Sequence, residues 1–511
     1  MYPGAHARNY PDRVAVRMGR GPGLTYGELD ERSIQLAREL RERGLRVGDG
    51  VVIMAENHVR FFEVYWAAVR SGLYVTAINR HSTPAEAAYI VADSGARVLI
   101  CSHGLRDTVV GLLPLLDAAV HRLMFDGVVD GVEPYEDVLA RQSPEPLGDE
   151  PRGQLMLYSS GTTGRPKGVK RALTGLRVDD PAAPRNSNLV CGITSMDADS
   201  VYLVPGPLYH AAAFNWSIAV QEIGGTVVVM PKWDPEEFLA LIERHRVTHT
   251  QLVPTMMVRL LKLDPAVRTG HDLSSLEALL HSAAPCPVDV KREMLDWLGP
   301  IVDEYYTGTE GLGVTFIAAR DWATRPGSVG RSVTGPIRIC GDDGAELATD
   351  EVGTVYFERQ GAPFGYHNDD AKTADARHPD HPTWATIGDM GRLDADGYLY
   401  LTDRKAFMII AGGVNIYPAE IEGRMIMHPS VADVAVFGLP HADLGEYVHA
   451  VVQPAPGVAA TPELADEILA FAREQLARFK VPRVLDFRDE LPRLESGKLR
   501  KDVLRAEYLP A

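Results

Sequence analysis

Short apolar runs alternate with amphipathic helical stretches through the first hundred residues of this 511-residue chain. A capping box, Thr25 with Glu28, starts the first amphipathic stretch. Runs typical of buried strands occupy residues 51–55, 74–78 and 97–101, and helical stretches separate them. Neighbouring parallel strands need such crossover helices, so the alternation predicts a largely parallel sheet covered by helices.

The pattern changes further along the chain. Strand and helix signals resume over residues 226–253, which predicts a second α/β layer. From about residue 330 to 401 the sequence turns to short β-like runs separated by Gly and Asp turns. This texture predicts a small β-barrel or a distorted sheet.

The last part of the chain restarts with its own pattern. A helix near Pro418, strands near residues 432–437 and 448–452, and a long helix from about 462 to 479 follow one another. We therefore expect an α/β protein with an N-terminal body, residues 1–403, and a small α+β C-terminal domain, residues 404–511.

Composition excludes several classes of function. The 52 basic and 69 acidic residues give a net charge of -17, which disfavours a nucleic-acid partner and requires local positive charge for any anionic ligand. The four cysteines show no metal-ligand spacing and indicate reduced thiols in a cytoplasmic protein: Cys101, Cys191, Cys286 and Cys340. The sequence shows no apolar leader and no run of about eighteen apolar residues, so we expect neither export nor a membrane span.

The densest chemical signal is YSSGTTGRPKG, residues 158–168, which follows the apolar run 155–157. The abrupt change marks a loop at the end of a strand. Its hydroxyls and glycines allow backbone N–H groups to approach an anion, and Lys167 adds a mobile positive charge. Gly168 stands where a Walker loop has Ser or Thr, so this is a different kind of loop. The stretch predicts a phosphate clamp rather than a plain surface loop.

Other candidate stretches are weaker when taken singly. His210 ends PLYH and is followed by Phe214 and Trp216, and a core histidine is the commoner explanation of that pattern. SAAP, residues 282–285, is equally compatible with a turn. Lys498 lies in a small-residue loop, where a solvated surface lysine is the ordinary case.

YTGTEG, residues 306–311, follows a strand-like run and should lie at a strand's C-terminal end, where ligands bind in open α/β sheets. Its aromatic ring, hydroxyl and carboxylate suit stacking on a base, binding a phosphate oxygen and holding Mg²⁺. Asp389, in TIGDMG, offers a carboxylate that accepts hydrogen bonds from ribose hydroxyls, although Asp before a turn is usually a cap.

Together these stretches resemble the acyl-adenylate-forming superfamily of acyl-CoA synthetases, carrier-loading adenylation domains and firefly-type luciferases. The resemblance runs from roughly residue 10 to the C-terminus, and its specific parts occur in the family's order: YSSGTTGRPKG, SAAP, YTGTEG, TIGDMG, DRKAFMIIAGGVNIYPAEIE and SGK. It implies a cytoplasmic, AMP-forming acyl-CoA ligase that uses ATP, Mg²⁺ and coenzyme A, with a homodimer as one possible assembly. It also implies that residues 404–511 rotate between two half-reactions about a hinge near residues 403–407.

The resemblance implies roles for individual residues. Lys167 and the loop before it would grip the β- and γ-phosphates of ATP: Ser159, Ser160, Gly161, Thr162, Thr163 and Gly164. Thr309 would bind the α-phosphate, and Glu310 the Mg²⁺ that neutralises the leaving pyrophosphate. The adenosine would be bordered by five residues: Ala283, Ala284 and Tyr306 at adenine, and Asp389 and Arg404 at ribose.

The remaining implied roles concern the acid, the thiol and the hinge. Lys498 would reach the α-phosphate and the substrate carboxylate during adenylation only. The acyl pocket would be bordered by four residues: His210, Phe214, Trp216 and Gly308. Gly412 and Gly413 would line the entry of the pantetheine arm of coenzyme A, and Lys405 and Ala406 would form the hinge.

The sequence departs from the family at a few positions. Thr307 stands where Gly is usual, and Ala406 and Phe407 replace polar or acidic residues at the hinge. Glu495 replaces a small residue and could compete electrostatically for Lys498. These departures motivate a second hypothesis, in which the enzyme mainly converts a preformed acyl-adenylate into a thioester.

Other functions stay open at this point. The adenylating unit could load a separate carrier protein, because no carrier-like domain follows it in the sequence. A luciferase-like oxidation and a non-catalytic binding protein are further alternatives. The small residues 211–213 with the aromatics after them predict a roomy, apolar acyl pocket, which suits a fatty, aryl or polycyclic terpenoid or steroid acid.

Overall fold

The computed structural model of the chain describes residues 2–159, 166–359, 364–404, 407–412, 414–494 and 497–509, with only the backbone at residue 159. Contact density divides the chain into two compact units. The first unit comprises Met1–Gln251, Asp264–Ala278 and Phe364–Thr373. The second unit comprises Leu252–Leu263, Leu279–Pro363 and Ala374–Ala511. These units do not test the predicted boundary near residue 404 between the N-terminal body and the C-terminal domain, which stays a prediction.

The helices of the described residues are α1 Pro3–Asn9, α2 Tyr26–Glu42, α3 Arg60–Val69, α4 Pro84–Asp93, α5 Arg106–Leu112, α6 Tyr135–Ala140, α7 Asn186–Ile193, α8 Ala211–Ile223, α9 Pro235–His245, α10 Pro254–Leu261, α11 Pro265–Arg268, α12 Val288–Leu298, α13 Ala319–Trp322, α14 Asp370–Asp375, α15 Pro418–Met425, α16 Pro462–Gln475 and α17 Lys501–Glu507. No helix in these ranges has the length and apolar content needed to cross a bilayer.

The strands of the first half of the chain are β1 Val14–Met18, β2 Gly23–Thr25, β3 Gly50–Met54, β4 Tyr74–Ile78, β5 Ala96–Ser102, β6 His121–Phe125, β7 Glu133–Pro134, β8 Gln154–Leu155, β9 Leu157–Ser159, β10 Lys167–Lys170, β11 Val201–Val204, β12 Thr226–Val229 and β13 His249–Leu252. Those of the second half are β14 Ala278–His281, β15 Val302–Tyr306, β16 Thr315–Ile317, β17 Arg331–Ser332, β18 Ile337–Cys340, β19 Gly353–Glu358, β20 Gly365–Tyr366, β21 Trp384–Ala385, β22 Asp389–Leu393, β23 Leu399–Arg404, β24 Ile409–Ala411, β25 Val414–Ile416, β26 Val431–His441, β27 Gly445–Pro454 and β28 Val484–Phe487.

Parallel strands dominate the first unit, as the alternating pattern predicts. One sheet runs in the order β7-β6-β5-β3-β4-β8, and every pairing in it is parallel. Every residue of β3 and of β4 is buried, since helices cover both faces of such a sheet. A second set runs β13-β11-β12-β1-β2, in which only the β1–β2 pairing is antiparallel.

Local capping chemistry starts the helices of this unit where the sequence predicts. Thr25 and Glu28 form the reciprocal hydrogen bonds of a capping box at α2. Thr83 and Glu86 form a second capping box at α4, with Pro84 in the first turn. These bonds satisfy backbone N–H groups that a helix start otherwise leaves without partners.

The second unit contains the predicted β-rich stretch and the C-terminal elements. Residues 337–404 form an antiparallel sheet in the order β18-β19-β22-β23, to which β21 adds by pairing with β19. A register shift between Met390 and Gly391 bends it. Among the described residues, the stretch is the distorted sheet that the sequence predicts as one of two forms.

The C-terminal elements differ in length from the prediction. β26 and β27 form a hairpin paired as far as His441 and Gly445, so both strands are longer than expected. Helix α16 ends at Gln475 rather than near residue 479, because Leu476 is already extended and packs into the core. The order β25-β24-β27-β26, with β28 parallel to β27, completes an α+β arrangement.

Candidate active site

The predicted phosphate-binding stretch begins and ends in an antiparallel hairpin of the first unit. β9 and β10 pair with Ser159 opposite Lys167 and Tyr158 opposite Gly168. The connection, with Ser160, Gly161, Thr162, Thr163 and Gly164, lies outside the described residues, as does the side chain of Ser159. The hairpin fixes both ends of the connection, and phosphate contacts by the loop stay a prediction.

Lys167 is paired with a carboxylate that the sequence did not signal. Its Nζ lies 2.7 Å from Oδ2 of Asp369, and both side chains keep some exposure, 23% and 32%. The ring of Tyr366 is 5.9 Å from the same ammonium. Because 202 positions separate Lys167 from Asp369, no local spacing could have predicted the pair.

The loop after β15 is closed by the residue that departs from the family. The hydroxyl of Thr307 donates to the carbonyl of Gly313 at 2.7 Å. At Gly308 an added Cβ would lie 2.7 Å from Cδ1 of Ile387, so that side chain would have to shift to admit a larger residue. Thr309 is partly buried and Glu310 is buried. Thr307 therefore contributes a bond that fastens the loop, which accounts for its presence.

Three predicted nucleotide residues meet in the second unit. Asp389 and Arg404 face each other across β22 and β23, with Oδ1 of Asp389 3.1 Å from Nε of Arg404. The hydroxyl of Tyr306 donates to Oδ2 of Asp389 at 2.5 Å. Burial, and then the charge of Asp389, raise the pKa of Tyr306 well above its usual value, so this hydroxyl remains a donor. The trio is a fixed hydrogen-bonding unit around one buried carboxylate.

The predicted adenine border follows β14 directly. Ala283 has φ of 75°, a left-handed conformation that costs a non-glycine residue roughly 1–3 kcal/mol. Ala283 is exposed and Ala284 is partly exposed, which leaves this end of the strand accessible. Strain of this kind concentrates at ligand-binding sites, and the predicted contact with adenine remains a prediction.

A buried ionic group beside this turn was missed from the sequence. Nζ of Lys291 lies 2.7 Å from Oε2 of Glu304, and both residues are buried with His281 at the end of β14. Burial and the charge of Lys291 hold the pKa of His281 well below its usual value, so the imidazole is neutral. Lys291 is buried on α12 with Val290 and Met294. A lysine in an amphipathic helix is ordinarily predicted to face solvent, so no sequence signal marked this burial.

Lys498 lies near the carboxylate and guanidinium predicted to act with it. Burial lowers the pKa of Lys498, the charge of Arg404 lowers it further, and the charge of Glu310 opposes the shift. The neighbouring Gly497 packs closely, since an added Cβ would lie 2.8 Å from the Val253 side chain. The second unit therefore places Lys498 within electrostatic reach of Arg404 and Glu310.

His210 caps a helix beside a loop that Asn57 fastens. Nδ1 of His210 accepts from the backbone N–H of Ala212 at the start of α8. The Asn57 amide donates to the carbonyls of Gly206 and Met230 at 3.0 and 2.8 Å, and its oxygen accepts from the N–H of Leu208 at 2.8 Å. Asn57 follows the buried strand β3, and a polar residue at that position was the available signal.

Phe214 and Trp216 are core residues of the first unit. The ring of Phe214 is fully buried and lies 5.5 to 6.0 Å from three other rings: Phe61, Phe62 and Tyr65. Trp216 is also buried and stacks on Tyr202 at 6.4 Å. This packing explains both aromatics without a ligand, and their contact with an acyl group stays a prediction.

The predicted hinge and coenzyme A residues are described only in part. Lys405, Ala406, Gly413 and Glu495 lie outside the described residues. The ring of Phe407, which departs from the family, lies 5.5 Å from Nζ of Lys501, and that ammonium also pairs with Glu422 at 2.8 Å. Gly412 has φ of 59°, which favours glycine at the predicted entry of the pantetheine arm.

The carboxylate predicted for Mg²⁺ has suitable chemistry. Among the described residues, no three His, Cys, Asp or Glu side chains gather into a metal-binding group. Mg²⁺ commonly takes one or two carboxylates and completes its shell with water and substrate phosphates. A single buried carboxylate, Glu310, therefore fits an ion that arrives with a nucleotide.

Family models match most of the chain. The model for "AMP-binding enzyme" matches residues 4–367, and the model for "AMP-binding enzyme C-terminal domain" matches residues 420–498. The first match spans both the phosphate-type hairpin and the loop after β15. The second ends on Lys498.

Characterised relatives span nearly the whole chain. A feruloyl-CoA synthase of an Amycolatopsis species is 35% identical over 99% of this chain and 98% of its own length. An indoleacetate–CoA ligase of Aromatoleum aromaticum is 31% identical over 98% and 96%. The solved structure of ATP-bound MatB from Rhodopseudomonas palustris superposes with a TM-score of 0.80 at 30% identity, covering 99% of both chains. This superposition confirms the predicted α/β fold class.

Proposed function

We propose that this chain, which belongs to the AMP-binding enzyme family and is an AMP-forming acid–CoA ligase, activates an aryl carboxylic acid through an enzyme-bound acyl-adenylate. The observation that supports the mechanism is the Asp389 carboxylate held between Tyr306 and Arg404, with Lys498 within electrostatic reach of Arg404 and Glu310. The predicted superfamily and its use of ATP and coenzyme A are confirmed by the family and its relatives. Mg²⁺, a cytoplasmic location and a homodimer stay predictions.

Adenylation needs positive charge where pyrophosphate departs and where the carboxylate attacks. A carboxylate oxygen of the acid attacks the α-phosphorus of ATP, and the bond to the β-phosphate oxygen breaks. Lys498 in its protonated form would donate to the α-phosphate and to the attacking carboxylate, and Thr309 would donate its hydroxyl. When bound to Glu310, Mg²⁺ would supply further charge neutralisation for the leaving group.

The ribose would be held by the buried carboxylate of the second unit. Each oxygen of Asp389 already accepts one hydrogen bond, from Tyr306 or from Arg404. A carboxylate oxygen has two lone-pair sites, so Asp389 can also accept from the ribose hydroxyls. Because its two protein partners fix the carboxylate's orientation, the sugar meets a site that needs little reorganisation.

Thioester formation follows when the thiol of coenzyme A attacks the acyl carbonyl and AMP leaves. Lys498 lies in residues 404–511, the part of the chain that we propose rotates between the two half-reactions. Gly412 would then line the path of the pantetheine arm. On this proposal Lys498 serves the first half-reaction and is dispensable in the second.

An aryl acid is the proposed substrate among the fatty, aryl and polycyclic classes that the sequence leaves open. The two relatives described above are named for feruloyl and indoleacetate substrates, which are both aryl acids. His210, in the loop that Asn57 fastens, and α8 would border the acyl group. The test is AMP release from ATP across ferulate, indoleacetate, palmitate and a steroid carboxylate, with and without coenzyme A. Turnover of palmitate alone would contradict the aryl proposal.

Lys498→Ala separates the two half-reactions. We expect loss of acid-dependent exchange between pyrophosphate and ATP, with thioester formation from supplied acyl-adenylate retained. Equal loss of both reactions in a variant with an unchanged thermal unfolding midpoint would contradict the assigned role.

A second candidate function keeps the thioester step and dispenses with efficient adenylation. The observation behind it is Phe407, whose ring is engaged by Lys501 at the position where the family carries an acidic residue. Robust AMP and pyrophosphate production from ATP and free acid by the purified protein would remove this candidate. Replacing coenzyme A by a holo-carrier protein in the same assay tests whether a carrier protein is the acyl acceptor.

A further inference from the structure

The segment Phe364–Thr373 belongs to the first unit, although the chain before and after it belongs to the second. Its strand β20 adds to the hairpin of β9 and β10, with Tyr366 opposite Val169. The backbone N–H of His367 donates to the carbonyl of Gly168 at 2.8 Å. This pairing places the residues after Tyr366 beside Lys167.

The carboxylate of Asp369 is oriented by one backbone donor, and the main chain of Asp369 is held by two further bonds. Its Oδ1 accepts from the N–H of Lys372 at 2.9 Å, so Asp369 caps the first turn of α14. Its backbone carbonyl accepts from both the N–H and the hydroxyl of Thr373, at 3.0 and 2.9 Å. With these bonds made, Oδ2 is directed to Nζ of Lys167 at 2.7 Å. Asp369 is therefore the fixed member of the pair and Lys167 the adaptable one.

The same segment also holds the other strand of the hairpin, through Asp93 at the end of α4. The hydroxyl of Tyr158 donates to Oδ2 of Asp93 at 2.6 Å. The Asn368 amide donates to Oδ1 of Asp93 at 3.2 Å, and Nε2 of His367 lies 2.9 Å from its carbonyl oxygen. Both strands that lead into the predicted phosphate loop are thus tied to residues 366–369.

A partly exposed ion pair contributes little to the stability of a fold, so stability does not account for this arrangement. A lysine side chain has four rotatable bonds and loses much freedom when it must meet a ligand at one place. A carboxylate held by a backbone donor on a fixed main chain selects one position for the ammonium. Because an ammonium has three N–H donors, Lys167 can keep one bond to Asp369 and offer two to phosphate oxygens.

We propose that Asp369 is a positioning residue for ATP, which holds the Lys167 ammonium where the β- and γ-phosphates arrive. This inference rests on the proposed function. It assigns no chemical step to Asp369, which acts on the nucleotide through Lys167.

The test is calorimetric titration of the full-length protein with α,β-methylene-ATP and, separately, with AMP. Asp369→Asn keeps a good helix cap and removes the charge. We expect about tenfold weaker binding of the triphosphate, as for loss of one charged hydrogen bond, and unchanged binding of AMP, which lacks the phosphates that Lys167 would meet. A structural role would weaken both ligands together.

Two further variants complete the experiment. Asp370→Asn changes the exposed neighbour in the first turn of the same helix and should leave both affinities unchanged. In the Lys167→Gln background, Asp369→Asn should add no further loss, because the two residues act as one. Additive losses, tighter triphosphate binding by Asp369→Asn, or equal losses for both ligands would overturn the proposal. Wild-type protein that binds neither nucleotide would instead overturn the proposed function.

Discussion

Two lysines predicted to meet the phosphates of one nucleotide sit in opposite electrostatic settings. Lys167, in the first unit, keeps some exposure and has a carboxylate 2.7 Å from its ammonium. Lys498, in the second unit, is partly buried, and burial and the charge of Arg404 lower its pKa. The first positive charge has a carboxylate in direct contact before any ligand arrives. The charged form of the second is disfavoured by burial and by Arg404, although Asp502 and Glu310 oppose that shift.

This difference predicts different roles for Lys498 and Lys167. An anion bound at Lys498 would stabilise the charged form that burial and Arg404 disfavour. Lys167 already has a carboxylate contact, which it keeps when phosphate binds, so the net gain from phosphate is smaller. We therefore expect Lys498 to act mainly on the rate of adenylation and Lys167 mainly on the affinity for ATP.

The largest expected effect is the loss of adenylation rate when Lys498 is replaced. Lys498→Ala should lower kcat for adenylation by about 10²–10³-fold, as for loss of one preorganised donor at developing charge. Lys167→Gln should raise KM for ATP about tenfold and leave kcat nearly unchanged. Steady-state kinetics of pyrophosphate release measures both. Equal effects on kcat from the two variants would contradict these different roles.

A pH profile sharpens the contrast. Because burial and Arg404 lower the pKa of Lys498, its proton is lost as pH rises through a value below that of an ordinary lysine. We expect kcat/KM for ATP in adenylation to fall on this alkaline side, and thioester formation from supplied acyl-adenylate to show no such limb. Lys498→Arg should move the limb to higher pH, since a guanidinium keeps its proton. An unmoved limb in that variant would assign it to another group.

A smaller effect is expected at Tyr306, which tests the part of the nucleotide affinity that does not depend on either lysine. Tyr306→Phe removes the hydroxyl that donates to Asp389 and keeps the ring. We expect about fivefold weaker binding of both AMP and the ATP analogue, because the ribose carboxylate loses a partner that orients it. Calorimetric titration measures this change. Weaker binding of the ATP analogue with unchanged binding of AMP would show that Tyr306 acts on the phosphates rather than on the ribose.

The smallest effect concerns the segment that carries Lys498. Arg424, on α15, pairs with Asp289 at 2.7 Å, and Asp289 also pairs with Arg292. Arg424→Ala should lower kcat for adenylation about two- to threefold, since an exposed ion pair is weak. The rate of thioester formation from supplied acyl-adenylate should stay unchanged. Arg292→Ala, which removes the other partner of Asp289, is the matched control. If both variants behave alike, the contact of Arg424 with α12 does not position Lys498.

Much of the local structure followed from the sequence because local chemistry decides it. The capping box at Thr25 starts a helix where expected, and the apolar runs of β3 and β4 are buried strands. The end of α16 was misplaced, because Leu476 leaves the helix to pack in the core and no Gly or Pro marks that point. Tertiary packing overrides helix propensity at such positions.

The order of strands and helices and the enzyme family follow from the sequence alone, which also predicts most residues of the candidate site. Which side chains are partners depends on the tertiary structure: Lys167 with Asp369, Tyr306 with Asp389, and Lys291 with Glu304. The reason is physical. Caps, turns and amphipathic periods depend on neighbours within a few residues, whereas an ion pair between distant residues depends on the path of the whole chain, and burial sets its effect on charge.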